Sequence, residues 1–180
     1  FQFMLRGAIK EAGIIAILNR YYFQQTGRYP LGKSFSVRQA PKNHQELLKL
    51  VTENFDAQFM PTIVGVGDTV NSSVVEHGDR LEVRRGGSDR NFLHLIQDLG
   101  RTYKSGNVVA YIDSSGGELS NRKPVRVGTD AAGYKIAIEG PGDPRDLDDP
   151  LKLDVVFAGG HEEYCRCICE AATRRAARTS

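Results

Sequence analysis

Apolar residues recur at Ile9, Ala12, Ile15, Ala16 and Leu18, with Asn19 beside the last, at a spacing close to 3.6 residues. That period predicts an amphipathic helix over 5–23. A second helical pattern covers 43–55, with Asn43 as its N-cap. The apolar, β-branched run at 62–66 reads as a strand, and 81–85 as a shorter one. Asp89 opens a helix over 90–100 that Gly100 closes. A buried strand at 107–112 ends on Asp113, and a polar hairpin or excursion fills 122–139. The loop GPGDPRDLDDP at 140–150 leads to a strand at 153–157 and a helix at 160–178. Residues 26–42, rich in Gly, Pro and Ser, are too many for a plain connector, which marks them as a cap or lid segment. Strands alternating with helices favour an α/β fold in which a parallel sheet is covered on both faces.

Candidate chemistry concentrates where one strand stops. In PTIVGVGDTV the chain runs from an apolar strand into Asp68 at a sharp glycine turn. Ligands of open parallel α/β sheets gather at strand ends. A carboxylate there can project past the sheet and hold a hard cation such as Mg²⁺. The competing reading is that Asp68 caps the next helix. Lys10, early in the first helix, works against the helix dipole unless an anion sits close by, so it too asks for a partner, a solvated surface lysine being the alternative.

Composition narrows the classes. With 180 residues, the chain can bury one good core and is expected to be a single domain or a domain with an insertion. A net charge of +2 and the absence of a basic stripe interleaved with aromatics argue against a nucleic-acid binder. Arg174, Arg175 and Arg178 sit at the end of a helix, where cations suit the dipole. No apolar run approaches the roughly 20 residues that span a bilayer, so no membrane role is expected. No charged-then-apolar leader is visible, which makes a cytoplasmic protein the plain reading. The first residue is Phe1, which gives the chain the look of the later part of something longer. Cys165, Cys167 and Cys169 form a C-x-C-x-C run, but on a helix the middle thiol points away from the other two. Small buried thiols in a reducing compartment are therefore expected rather than a metal set. The histidines form no recognisable hydrolase pattern.

The strings FQFMLRGAIKEAG, ILNRYY, YPLGKSFSVRQAP, GVGDTV, RRGGSDRNFLHLIQDLG, YIDSSGGE and PLKLDVVFAGGH together resemble the cyanobacterial glucosylglycerol 3-phosphate phosphatase family, within the haloacid dehalogenase superfamily. The resemblance covers essentially the whole chain. It implies a Rossmann-like three-layer parallel sheet of the haloacid dehalogenase type, here a partial core with part of a cap or lid. It also implies hydrolysis of the sugar phosphate to the osmoprotectant glucosylglycerol, hence a part in salt tolerance. The superfamily mechanism uses an Asp nucleophile, a second Asp two residues on as acid and base, and Mg²⁺. Carried over by position, Lys10 becomes the phosphate-contacting lysine and Asp68 the metal-binding acid.

Two departures stand out. The superfamily places another acid four residues after the first, where this chain has Ser72. Residues 71–88 are accordingly expected to be an insertion, after which Asp89 takes the second acid's role. The strand followed by D-x-D is also missing. Asp146-Leu147-Asp148 has the letters but reads as a solvated turn, and Asp113 as a site neighbour or cap. The expected partner is thus a missing N-terminal segment of the same protein, with this piece inactive alone. For the substrate, Arg84, Arg85 and Ser88 lie among flexible glycines before a helix start, which suits anion or polyol binding, a solvated hairpin being the alternative. Arg38 in the long loop is a similar candidate. Rival readings are a phosphatase for trehalose or sucrose phosphate, or a non-catalytic module that binds a phosphorylated ligand.

Overall fold

A computed structural model describes residues 9–78, 80–115, 124–129, 131 and 135–179. The chain divides into two compact units: one runs to Gly65 and resumes over Asn91–Val108, the other takes Val66–Arg90 and continues from Val109.

The first unit is built on helices. Helix α1 spans Lys10–Thr26 and ends at Gly27, whose left-handed backbone lets its N–H reach the Phe23 carbonyl. Relative to the expected 5–23, the helix runs further at its C-terminal end, and residues 5–8 lie outside the described part. Of the expected stripe, Ala12, Ile15, Leu18 and Asn19 are buried and Ile9 and Ala16 half-buried, and Tyr22 extends the buried face. Helix α2 spans His44–Asn54, and the Asn43 carboxamide caps it by accepting from the N–H groups of Gln45 and Glu46, as its sequence predicts. A single 3-10 turn, Ala57–Phe59, follows. Helix α3, Arg90–Tyr103, sends Leu95 and Leu99 into a core shared with Ile15, Tyr22, Leu47, Val51 and Phe55.

Gly100 does not close α3, contrary to expectation. The Tyr103 hydroxyl donates toward the Val51 and Phe55 carbonyls at 3.0 and 3.1 Å, and this tie to α2 extends the helix by a turn. The loop after α1 is fastened to its own unit: Asn19, buried, donates to the Gly32 carbonyl at 3.1 Å and accepts from the Leu31 N–H at 3.0 Å. Leu31, Phe35 and Val37 pack against the core.

Strand β1, Val64–Gly67, begins in the first unit, where a Cβ on Gly65 would lie 2.6 Å from the Ile96 side chain. Only glycine allows α3 to pack that close. The second unit contains a hairpin of β2, Asn71–His77, and β3, Arg80–Gly86, paired antiparallel throughout. It also contains β4, Val108–Ile112 (from Val109 on), a second hairpin of β5, Arg126–Thr129, and β6, Lys135–Ile138, then β7, Val155–Phe157, and helix α4, Gly160–Thr179. Strands β1, β4 and β7 form a sheet in that order, with β4 and β7 parallel. This parallel three-stranded sheet in a mixed α/β chain is a Rossmann-like core of the haloacid dehalogenase type. No described helix is long and apolar enough to cross a membrane.

Candidate active site

Asp68 follows directly on β1, and its exposed carboxylate accepts the Thr69 hydroxyl at 2.8 Å. The loop is held from below by Asp89, only 3% exposed. One oxygen of Asp89, Oδ2, accepts the backbone N–H groups of Asp68 at 2.9 Å and Thr69 at 3.0 Å. The Asp89 N–H in turn donates to the Thr69 carbonyl at 3.1 Å. An anion that gathers successive N–H groups fixes the local backbone and so aims the neighbouring side chain. On the other side, the Ser114 hydroxyl, just past β4, donates to the Asp68 carbonyl at 3.1 Å. Asp113 folds its carboxylate back onto the Ser115 and Val125 N–H groups at 2.8 and 3.2 Å, in the manner of a cap.

The β2–β3 hairpin leaves this loop and returns to it. Gly87, at φ +105°, rests so close to the loop that a Cβ there would lie 2.0 Å from the Thr69 carbonyl oxygen. Ser72, where the superfamily has an acid, is buried; its N–H donates to the Glu139 carbonyl at 2.8 Å and its hydroxyl meets Arg90 at 3.0 Å. Arg90 also donates to the buried carboxylate of Asp149 at 2.7 Å.

Residues 140–150 overturn the expectation of a solvated turn around Asp146. Backbone turns link Gly140 to Asp143, Asp143 to Asp146 and Asp146 to Asp149, at 3.1, 2.9 and 3.2 Å. The three aspartates are buried at 1%, 4% and 2% exposure, each with a cation. Asp146 takes a bidentate pair from Arg85, at 2.8 and 2.5 Å. The Arg145 guanidinium beside Asp143 holds that carboxyl below the usual range, with help from the Arg145 and Glu139 N–H groups; Arg85 does the same for Asp146, and burial opposes both. The spacing of three residues between acids was the available signal. The D-x-D letters drew attention to the wrong pair, since Asp148 is exposed and Asp149 carries the ion pair.

The remaining candidates sit as follows. Arg85 is committed to Asp146, while Arg84 is exposed and pairs with Glu82 at 2.7 Å. Ser88 is exposed, directly before Asp89. Arg38 is exposed on the loop after α1, its N–H on the Ser36 hydroxyl at 3.3 Å. Lys10, in the first unit, opens α1 with its ammonium 5.8 Å from the Phe92 ring centre. Cys165 and Cys169 are exposed and Cys167 is half-buried, so the expectation of buried thiols does not hold.

The exposed Asp68 carboxylate, at the end of a strand and on a loop fixed by a buried acid, is the kind of oxygen donor a hard cation takes. A glucosylglycerol-phosphate phosphatase of Synechocystis sp. is 57% identical over 175 residues, which are 97% of this chain and 41% of the relative. No solved structure matches. The family model for glucosylglycerol-phosphate phosphatase matches residues 1–172, and the chain belongs to that family.

Proposed function

We propose that this chain forms the metal-binding and phosphate-binding part of a Mg²⁺-dependent phosphatase that hydrolyses glucosylglycerol 3-phosphate to glucosylglycerol, supporting salt tolerance in the cytoplasm. The carrying observation is Asp68 at the end of β1 with its loop tied down by Asp89, in a chain of this family. Asp68 would hold Mg²⁺, whose contribution when bound is to neutralise charge on the phosphoryl oxygens. Lys10, in the first unit, remains the phosphate-contacting lysine that the family resemblance implies. Asp89 keeps the Asp68 loop in shape and is the candidate for a second metal-facing acid. Arg84, Ser88 and Arg38 remain the surface candidates for the sugar. In the sequence no apolar, β-branched run leads directly into a D-x-D, and the relative is much longer than this chain. Both support the proposal that the nucleophilic aspartate comes from outside these 180 residues and that this piece alone does not turn over.

The test is phosphate release by the complete enzyme from glucosylglycerol 3-phosphate, with trehalose 6-phosphate and sucrose 6-phosphate as competitors. The expected result is turnover that needs Mg²⁺, favours the first substrate and disappears in Asp68→Asn, with Lys10→Met raising KM and lowering kcat. Robust Mg²⁺-dependent turnover by the 180-residue chain alone would overturn the nucleophile assignment. Binding of the phosphorylated ligand without hydrolysis by the complete protein would favour the non-catalytic reading.

A further inference from the structure

The first unit carries a cluster that the phosphatase chemistry does not use. His44 is the first residue of α2, and His94 and Asp98 lie one turn apart on α3, a spacing that puts both on one helix face. The two imidazole rings stack with centroids 4.4 Å apart and planes 17° from parallel. Both Nε2 atoms approach the same carboxylate oxygen, Oδ2 of Asp98, at 2.9 Å from His44 and 3.3 Å from His94. The other oxygen takes a hydrogen bond from Arg101 at 3.2 Å, which fixes the carboxylate's orientation. All three side chains are about four-fifths buried, at 22%, 23% and 19% exposure.

We infer that His44, His94 and Asp98 bind a transition-metal ion of the Zn²⁺ class, clamping α2 to α3. The three candidate ligand atoms lie within 4.8 Å of one another. Ligands held about 2.0–2.2 Å from one tetrahedral ion stand roughly 3.3–3.5 Å apart, so only small side-chain adjustments would seat it. Two imidazoles and a carboxylate match the borderline character of Zn²⁺, Co²⁺ or Ni²⁺ and are a poor set for Mg²⁺, which takes oxygen ligands. The stack adds a second argument. Protonating both rings would press two like charges together above a single carboxylate, whereas one divalent ion satisfies all three groups at once. Solvent would complete the tetrahedron.

The probes are Zn²⁺ and Co²⁺ added to the purified, metal-free full chain, followed by calorimetric titration, the visible bands of tetrahedral Co²⁺ and thermal unfolding. One ion per chain is expected, with a melting point that rises on adding it. His94→Ala and Asp98→Asn should each weaken binding at least tenfold. His44→Asn, at a helix terminus where folding is least disturbed, should do the same, and far-UV circular dichroism without metal checks that each variant is folded. Because the thiols at 165, 167 and 169 could also take Zn²⁺, the triple Cys→Ser variant is the control, and its affinity should stay within about twofold of the parent. Binding that survives in His44→Asn and His94→Ala, or that vanishes in the triple serine variant, would overturn the inference. So would the lack of any Co²⁺ band.

Discussion

Replacing Asp89 separates holding the Asp68 loop from holding a metal. In Asp89→Ala, the two backbone N–H groups lose a charged acceptor at 2.9 and 3.0 Å. Hydrogen bonds to a charged group contribute about 1.5–3 kcal/mol each, and the loop N–H groups can partly rehydrate, so a loss of about 2–4 kcal/mol is expected. For a chain of this size that lowers the melting point by roughly 5–15 °C. Asp89→Asn keeps an oxygen in the same place and gives up only the charge, at a cost of about 1 kcal/mol and roughly 2–4 °C. The assay pairs thermal unfolding with Mg²⁺-dependent turnover of the complete enzyme. If Asp89 also faces the metal, the Asn variant is nearly as stable as the parent yet loses Mg²⁺ affinity by at least tenfold. Unchanged Mg²⁺ affinity and turnover in Asp89→Asn would refute the metal role and leave a brace. An Ala variant that melts with the parent would refute the bracing role.

Two further outcomes follow from the surroundings of that loop. Gly87→Ala should destabilise by about 3 kcal/mol or more, because the new Cβ meets the Thr69 carbonyl and L residues avoid the left-handed backbone found there; a melting point within 2–3 °C of the parent, about 1 kcal/mol, would contradict the observed close approach. Asp143 and Asp146 titrate lower in the folded chain than in the unfolded one. Their stabilisation is therefore complete above an ordinary carboxylate pKa of about 4 and drains away as pH falls through the folded values. Urea midpoints measured from pH 6 down to pH 3 should fall more steeply for the parent than for Asp143→Asn with Asp146→Asn, and parallel curves would reject this account.

Much of the frame was legible because its causes are local. Asn43 caps α2 through N–H groups two and three residues away, whereas the pattern stopped α1 at Phe23 and the helix runs on to the left-handed Gly27. The strand ahead of Asp68 was readable from its β-branched run into a glycine turn. What could not be read depends on partners far along the chain. Gly100 looked like a helix stop, and the tyrosine that carries the helix past it is held by carbonyls of α2, about fifty residues earlier. Residues 140–150 look solvated by composition, since Gly, Pro and Asp favour exposed turns. Their burial is decided by Arg85 and Arg90, which lie 61 and 59 residues away from Asp146 and Asp149. The bracing role of Asp89 was half visible: an acid at the start of α3 was expected, but not that one of its oxygens would serve the backbone on either side of Asp68's own peptide.

Arg90 tests whether the acids of 140–150 help to shape the candidate site. It directly follows Asp89, and its guanidinium bridges the buried Asp149 carboxylate and the Ser72 hydroxyl at the base of the hairpin. Arg90→Met would leave the Asp149 carboxylate buried without that guanidinium, a change that costs about 3–5 kcal/mol when one partner of a buried pair is lost. Combining it with Asp149→Leu removes the stranded charge and should recover most of the loss, although the Leu151 N–H, 3.0 Å from Asp149, then loses its acceptor. Arg90→Lys keeps the charge without the fork that reaches both partners, so it should fall between the parent and Arg90→Met. Thermal unfolding of the four proteins orders them, and hydrogen exchange at the Asp68 and Thr69 amides reports whether the loop loosens in step. If the double variant were as unstable as Arg90→Met, the buried charge would not be the cause. If the Asp68 and Thr69 amides kept their protection in every variant, Asp89 would hold the loop without support from the acids behind it.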